Sequence, residues 1–248
     1  MTRRVLIVAG PTASGKSALA LALADHLRGT IINADAMQVY RELRILTARP
    51  TQEDEGRVPH RLYGVQPAAQ PGSVAWWRDA ALAKMTAAHE AGRLPILTGG
   101  SGMYFASLTD GLAKIPDPGP IARAEARALL KELGPAALHA RLTEADPATA
   151  QRIRPTDSQR IARAWEVLRG TGTGLAAWQT KTQPEPHATA VPRATTEGAC
   201  PRATTPAWEF TAILLDPPRA DLRAAITARL AVMLDRGALE EVKALLAL

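Results

Sequence analysis

Gly10-Pro11-Thr12-Ala13-Ser14-Gly15-Lys16-Ser17 fits the pattern G-x-x-x-x-G-K-S/T, a loop whose backbone N–H groups close around a diphosphate. Gly10 and Gly15 permit the turn, Lys16 offers a mobile ammonium, and the Ser17 hydroxyl can reach Mg2+. The loop specifies phosphate without specifying ATP. Asp35 follows Lys16 by 19 residues. A carboxylate there can act as a general base, orient an acceptor, or hold Mg2+ through water; its structural alternative is a helix N-cap or turn aspartate. In Gly99-Gly100-Ser101-Gly102, three glycines let the backbone approach a ligand, and the Ser101 hydroxyl can donate to a phosphate or to developing charge. Arg160 and Arg163 share one helix face, with Arg152 and Arg154 upstream. They suit nucleic-acid phosphates or a lid closing on a nucleotide, or else form a solvated face.

These groups need elements to hold them. Arg4–Ala9 is a nearly continuous apolar run, as expected of a strand buried on both faces, and Ala18–Ala24 is built from strong helix formers. Strand, glycine loop and helix N-terminus together make an anion site. Thr30–Asp35, His60–Val65 and Leu94–Thr98 read as further strands, and Trp76–Ala91 as a helix. Alternation of this kind predicts an α/β fold with a parallel sheet flanked by helices and ligands at the carboxyl ends of the strands. Trp76 and Trp77 read as anchors of their helix to the core, with flanks for an apolar substrate as the alternative. Most phosphate-loop nucleotidases place an aspartate at a strand end to organise Mg2+; the Leu94–Thr98 strand runs into glycine instead, which argues against an ATPase or GTPase.

Beyond about Asp117 the pattern turns helical, with helices expected over Ile121–Leu133, Pro135–Leu142 and Thr156–Arg169. In the last, Ile161, Trp165 and Leu168 recur at i, i+4, i+7 as a buried stripe, and Thr156 with Gln159 can form a capping box. Leu222, Ile226, Leu230 and Met233 repeat the spacing, and Gly237 can close that helix in the left-handed region. Residues 183–206 hold five Pro and five Thr and repeat Pro-Arg-Ala-Thr-Thr at 192–196 and 201–205, the composition of a flexible insertion. The expected organisation is an α/β core over 1–118, a mainly helical segment over 119–182, the insertion over 183–206, and a return to the core with C-terminal helices over 207–248.

Hydrophobic residues make up 46% of the 248 and aromatics only 4%, so Ala, Leu, Ile and Val must fill the core. No apolar run approaches the roughly 20 residues of a membrane span. The basic, then apolar start resembles a short signal peptide, but cleavage would destroy the phosphate loop, so a soluble, cytoplasmic protein is expected. The single Cys200 excludes an intramolecular disulfide framework and a cysteine metal cluster. Net charge is +6, and residues 119–169 carry nine basic and six acidic side chains. That segment is the place to look for a polyanion contact.

Six ordered pieces then acquire a common meaning: the phosphate loop, Asn33–Arg41 around Asp35, Thr47-Ala48-Arg49-Pro50, Pro59-His60-Arg61-Leu62, Gly99–Tyr104, and Gln159–Ala164. Their order resembles that of the tRNA dimethylallyltransferases. The resemblance implies transfer of a dimethylallyl group from its diphosphate to N6 of the adenosine just 3′ of the anticodon. It implies that Gly10, Pro11, Thr12, Ala13, Ser14, Gly15, Lys16 and Ser17 cradle the diphosphate, with Ser17 as the Mg2+ ligand. Asp35 is implied as the base and Ser101 as its catalytic companion at a family threonine position. Asp35, Ala36, Met37, Gln38, Ser101, Arg123, Gln159, Arg160, Ile161, Ala162 and Arg163 are implied as tRNA contacts. The expected partners are tRNA and dimethylallyl diphosphate, with no membrane, and a monomer is expected. Arg49 replaces a family lysine, keeping charge but not geometry. Family members continue past Leu248 with a basic C-terminal region, so a shortened form is expected. The open alternatives are a small-molecule kinase, an adenylate prenyltransferase, or an inactive tRNA-binding remnant.

Overall fold

The computed structural model describes residues 3–181 and 208–248, and the insertion expected at 183–206 lies outside them. The described residues fall into two compact units. One holds the chain through Gly111 together with Trp208–Leu248; the other begins at Leu112, so residues 112–118 group with the helices that follow them.

The first unit is built on a five-stranded sheet. Strands β1 (Arg3–Ala9), β2 (Gly29–Asn33), β3 (His60–Arg61), β4 (Leu94–Gly99) and β5 (Trp208–Leu214) pair in the order β3-β2-β4-β1-β5, and every pairing is parallel. The apolar runs explain the burial. Val5 to Val8 and all of β2 are buried, because helices cover both faces of a parallel sheet. Alternate residues divide between two cores. Leu6, Val8, Ile31 and Ile96 meet Ala20 and Ala24 of helix α1 (Lys16–His26). Val5, Ile7, Ile32 and Leu97 meet Trp77, Ala81 and Met85. Those three belong to α3 (Val74–Glu90), whose N-terminus is capped by the Ser73 hydroxyl accepting the Trp76 N–H at 3.1 Å. Trp77 is fully buried and stacks on Tyr104 at 4.1 Å between ring centroids. It is therefore a core anchor, and its truncation to alanine would cost ~3–5 kcal/mol.

Between β2 and β4 lies the short helix α2 (Gln52–Arg57), started by a capping box of Thr51 and Asp54, and α4 (Gly102–Thr109) follows β4. After β5 come α9 (Arg219–Asp235) and α10 (Ala238–Leu246), joined through Gly237 at φ 94°, the left-handed closure expected of that glycine. The stripe Leu222, Ile226, Leu230 and Met233 is not buried as its spacing suggested: α9 has no buried residue among those described, and Ile226 and Leu230 are exposed. Periodicity makes a face amphipathic, but burial requires a partner packed on it.

The second unit is helical. Helix α5 (Gly119–Ala145) breaks at Gly134, whose φ is 74°, just before Pro135, which separates the two helices expected there. The short α6 (Pro147–Ala150) follows, then α7 (Ser158–Thr171) and α8 (Leu175–Lys181). The cap of α7 is Asp157, which accepts the Arg160 N–H at 3.1 Å, and not Thr156. Ile161, Ala164 and Val167 are its buried residues, with Trp165 and Leu168 partly buried beside them. No helix among the described residues is long and apolar enough to cross a membrane.

Candidate functional site

Four stretches of the first unit converge at the carboxyl ends of its strands: 10–17, 33–38, 44–52 and part of α9. Gly15 stands immediately before α1 with φ 86°, a backbone that an L side chain resists. The turn leaves the first N–H groups of α1 facing outward, where the positive end of the helix dipole favours an anion. Lys16 Nζ donates to the Pro11 carbonyl at 3.0 Å. Burial holds its pKa below the usual lysine value; Asp35 opposes that shift and Arg229 adds to it. Gly10, Pro11, Thr12, Ala13 and Ser14 complete the loop, and Ser17 lies on the first turn of α1.

Asp35 sits two residues past β2, held by its neighbours on both sides. Its N–H donates to Asn33 Oδ1 at 2.9 Å, and Asn33 Nδ2 donates to the carbonyls of Asp35 and Leu62, each at 3.0 Å. Asn33 is fully buried, and its own carbonyl accepts the Trp77 indole N–H at 2.8 Å. Asp35 Oδ1 accepts the Met37 N–H at 2.9 Å. That bond is the turn-aspartate role, and it leaves Oδ2 outside the turn. Ser101 Oγ accepts the Ala36 N–H at 3.0 Å, which occupies one of its two lone pairs and leaves its proton free to be donated.

The stretch after Asp35 closes onto residues 44–50. Gln38 Nε2 donates to the Thr47 and Ala48 carbonyls at 2.8 and 3.0 Å, so its amide nitrogen braces that wall. Met37 is exposed and Ala36 half-buried. A cavity of about 740 Å³ opens beside the loop, lined by Ser17, Arg44, Arg49, Arg229, Val232 and Arg236 among others. A second cleft of about 240 Å³ shares Ser17, Ala48 and Arg49 and is lined in part by Leu21 and Ile31. Arg49 Nε is buried without a hydrogen-bond partner, and burial together with neighbouring Arg44 lowers its pKa. Half-buried, crowded guanidinium groups are what an anion would relieve.

Arg44, Arg229 and Arg236 were not singled out from the sequence. Arg229 had one available signal, since it falls one residue before Leu230 on a helix otherwise read for its apolar stripe.

The remaining predicted residues lie in the helical unit. Gln159, Arg160 and Arg163 are exposed and Ala162 half-buried, whereas Ile161 is fully buried in that unit's core, so its side chain offers nothing to a ligand. The exposed arginines have acidic neighbours: Arg160 with Asp157 at 3.4 Å, Arg163 with Glu166, Arg169 with Glu125 at 3.0 Å, and Arg123 with Asp117. Exposed pairs of this kind are worth little.

Among the described residues no group of three or more His, Cys, Asp or Glu could hold a metal. The donors at the loop are instead hydroxyls, of which that of Ser17 lines the cavity, and a nearby carboxylate. That set fits Mg2+ carried mainly by substrate phosphate and water, and does not fit a protein cage.

Residues 38–248 match the model of the IPP transferase family. A tRNA dimethylallyltransferase of Granulibacter bethesdensis is 63% identical over 243 residues, covering 98% of this chain and 70% of the relative. That of Gluconobacter oxydans is 57% identical, covering 98% and 68%. The solved full-length tRNA isopentenylpyrophosphate transferase of Bacillus halodurans superposes with a TM-score of 0.58 at 30% identity, covering all of this chain and 71% of that one. A eukaryotic dimethylallyltransferase acting on tRNA shares the fold, with a TM-score of 0.74 at 23% identity over 99% of this chain; the chain spans 56% of its length. The family match over residues 38–248 and the identity to these relatives along nearly the whole chain have one consistent assignment: the chain belongs to the IPP transferase family, as one of the tRNA dimethylallyltransferases.

Proposed function

We propose that this chain transfers a dimethylallyl group from dimethylallyl diphosphate to N6 of the adenosine 3′ of the anticodon in tRNA. The observation that carries the reading is the placement of Lys16 and Asp35: Lys16 opens the helix after β1 and Asp35 follows β2, both at the carboxyl ends of parallel strands separated only by β4, the first where a diphosphate leaves, the second where an amine must lose a proton. Residues 10–17 bind the diphosphate through backbone N–H groups and the Lys16 ammonium. Arg44, Arg49 and Arg229 supply further positive charge along the cavity wall. Departure of diphosphate builds negative charge on that side, where fixed donors stabilise it without reorganisation. Asp35 Oδ2 orients the N6 amine and takes its proton, and the Ser101 proton is available to the same region. Mg2+ bound with the substrate through Ser17 would neutralise phosphate charge. Exposed Met37 and Gln159, Arg160 and Arg163 contact tRNA, with Arg123 among the basic residues of the helical unit. The reading places the protein in the cytoplasm as a monomer, where tRNA is its macromolecular partner.

Ligand choice tests the site. Calorimetry with Mg2+ present is expected to show tighter binding of dimethylallyl diphosphate or pyrophosphate than of ATP. Comparable ATP affinity with phosphoryl transfer to a small acceptor would establish a kinase instead.

A further inference from the structure

The wall of the cavity formed by residues 44–50 is one turn of helix-like chain without a local cap. The Thr47 hydroxyl and the Arg49 N–H reach back to the carbonyls of Leu43 and Arg44 at 2.6 and 3.0 Å, and the Ala48 N–H reaches that of Ile45 at 2.9 Å. The turn ends in the left-handed region at Ala48, φ 49°. Arg44 Nη2 closes the stretch by donating to the Pro50 carbonyl at 2.8 Å. Such a turn begins with N–H groups that have no partner within it. Here one carboxylate takes all three. Glu241 Oε1 accepts the N–H groups of Arg44 and Ile45 at 2.6 and 2.8 Å, and Oε2 accepts that of Leu46 at 2.9 Å.

Glu241 belongs to the first turn of α10, nearly two hundred residues away in sequence. Bonds from successive backbone N–H groups to an ionised carboxylate are among the stronger hydrogen bonds. The helix is otherwise thinly attached, since Ala238 is its one buried residue among those described. From these observations we infer that Glu241 is a positioning residue, capping the 44–46 turn from a distance and so setting where Arg44, Ala48 and Arg49 stand around the cavity. Gln38 braces the other end of the same turn at the Thr47 and Ala48 carbonyls, so the turn is tied at one end to the segment that carries Asp35 and at the other to α10. The consequence for ligand binding rests on the diphosphate reading above; the hold on the turn does not.

The test uses the full chain as Glu241→Ala, as Glu241→Gln, and as Glu240→Ala. Glutamine keeps size and helix propensity but turns an NH2 toward backbone donors. Glu240 is exposed and paired with Lys243, so its replacement controls for losing a helix acid. Two readings are taken: amide exchange across 44–49, and the affinity for inorganic pyrophosphate by calorimetry. Both Glu241 variants are expected to speed exchange of the 44–46 amides and weaken pyrophosphate binding, each on the order of tenfold, with exchange in β1 and β4 unchanged. Glu240→Ala should move neither. Unchanged exchange at 44–46 in Glu241→Gln would overturn the cap, and faster exchange with unchanged affinity would overturn the positioning role. A wild-type chain that binds no pyrophosphate would refute the diphosphate site, and the exchange reading then upholds or overturns the cap by itself.

Discussion

Ser101 and Ala36 are tied by a hydrogen bond in which the Ser101 hydroxyl oxygen accepts the Ala36 N–H at 3.0 Å, while the Ser101 N–H donates to the Ala34 carbonyl at 3.2 Å. The two bonds bracket Asp35. Gly99 allows this approach, because a Cβ there would lie 2.1 Å from the Ala34 carbonyl group. The strand end that lacks an acidic residue thus serves to hold the acidic residue of its neighbour.

Replacing Ser101 with alanine should leave the Ala36 N–H unpartnered, costing about 1–2 kcal/mol of stability and lowering turnover through a misplaced Asp35. Ser101→Thr keeps the oxygen and should restore both. Thermal unfolding and single-turnover rates check this; an alanine variant with wild-type turnover would show that the bracket does not matter to the chemistry.

Asp35→Asn preserves the backbone clamp of Asn33 and the Met37 bond while removing the base. Turnover should fall by ~10²–10⁴, with tRNA affinity within a few-fold of wild type. Near-normal single-turnover rates would reduce Asp35 to its turn role.

Much of the site was legible because it rests on local rules. A phosphate loop needs an apolar strand before it and a helix after it, and both were visible. Gly134-Pro135 announced a helix break. What was missed depends on distance. Trp208–Leu214 alternates Trp, Phe, Ala and Leu with Glu, Thr and Ile, a period-2 signal that could have identified β5. Glu241 gives no such sign, because nothing local says that a helix carboxylate meets amides 195 to 197 residues away. Gln38, implied only as a tRNA contact, likewise gives no local sign of its carbonyl partners at 47 and 48. Thr156 and Asp157 are both good caps, and only the backbone of α7 chooses between them.

Lys16 gives a pH dependence with a definite sign. Burial lowers its pKa from 10.5, and only the protonated amine attracts phosphate. Affinity for dimethylallyl diphosphate, whose phosphates are fully ionised above about pH 8, should therefore decline with rising pH before an ordinary lysine would titrate. Lys16→Met should bind more weakly and lose that decline. A wild-type affinity that stays flat up to the ordinary lysine range would contradict the assignment.

Replacing Arg160 and Arg163 together with alanine should weaken tRNA binding and make its salt dependence shallower by about 0.7–0.9 log units per lost contact. Low salt is the appropriate starting condition, because phosphate contacts count most there. Diphosphate affinity should not change. An unchanged slope in a folded variant would assign both arginines to their acidic neighbours Asp157 and Glu166.

The most direct measurement supplies the purified chain with labelled dimethylallyl diphosphate and Mg2+, offering unmodified tRNA in one reaction and AMP in another. Label is expected on N6 of the adenosine 3′ of the anticodon, with Asp35→Asn as the inactive control and AMP left unmodified. Label on AMP with none on tRNA, or no transfer to either acceptor by a chain that binds the diphosphate, would contradict the proposed reaction.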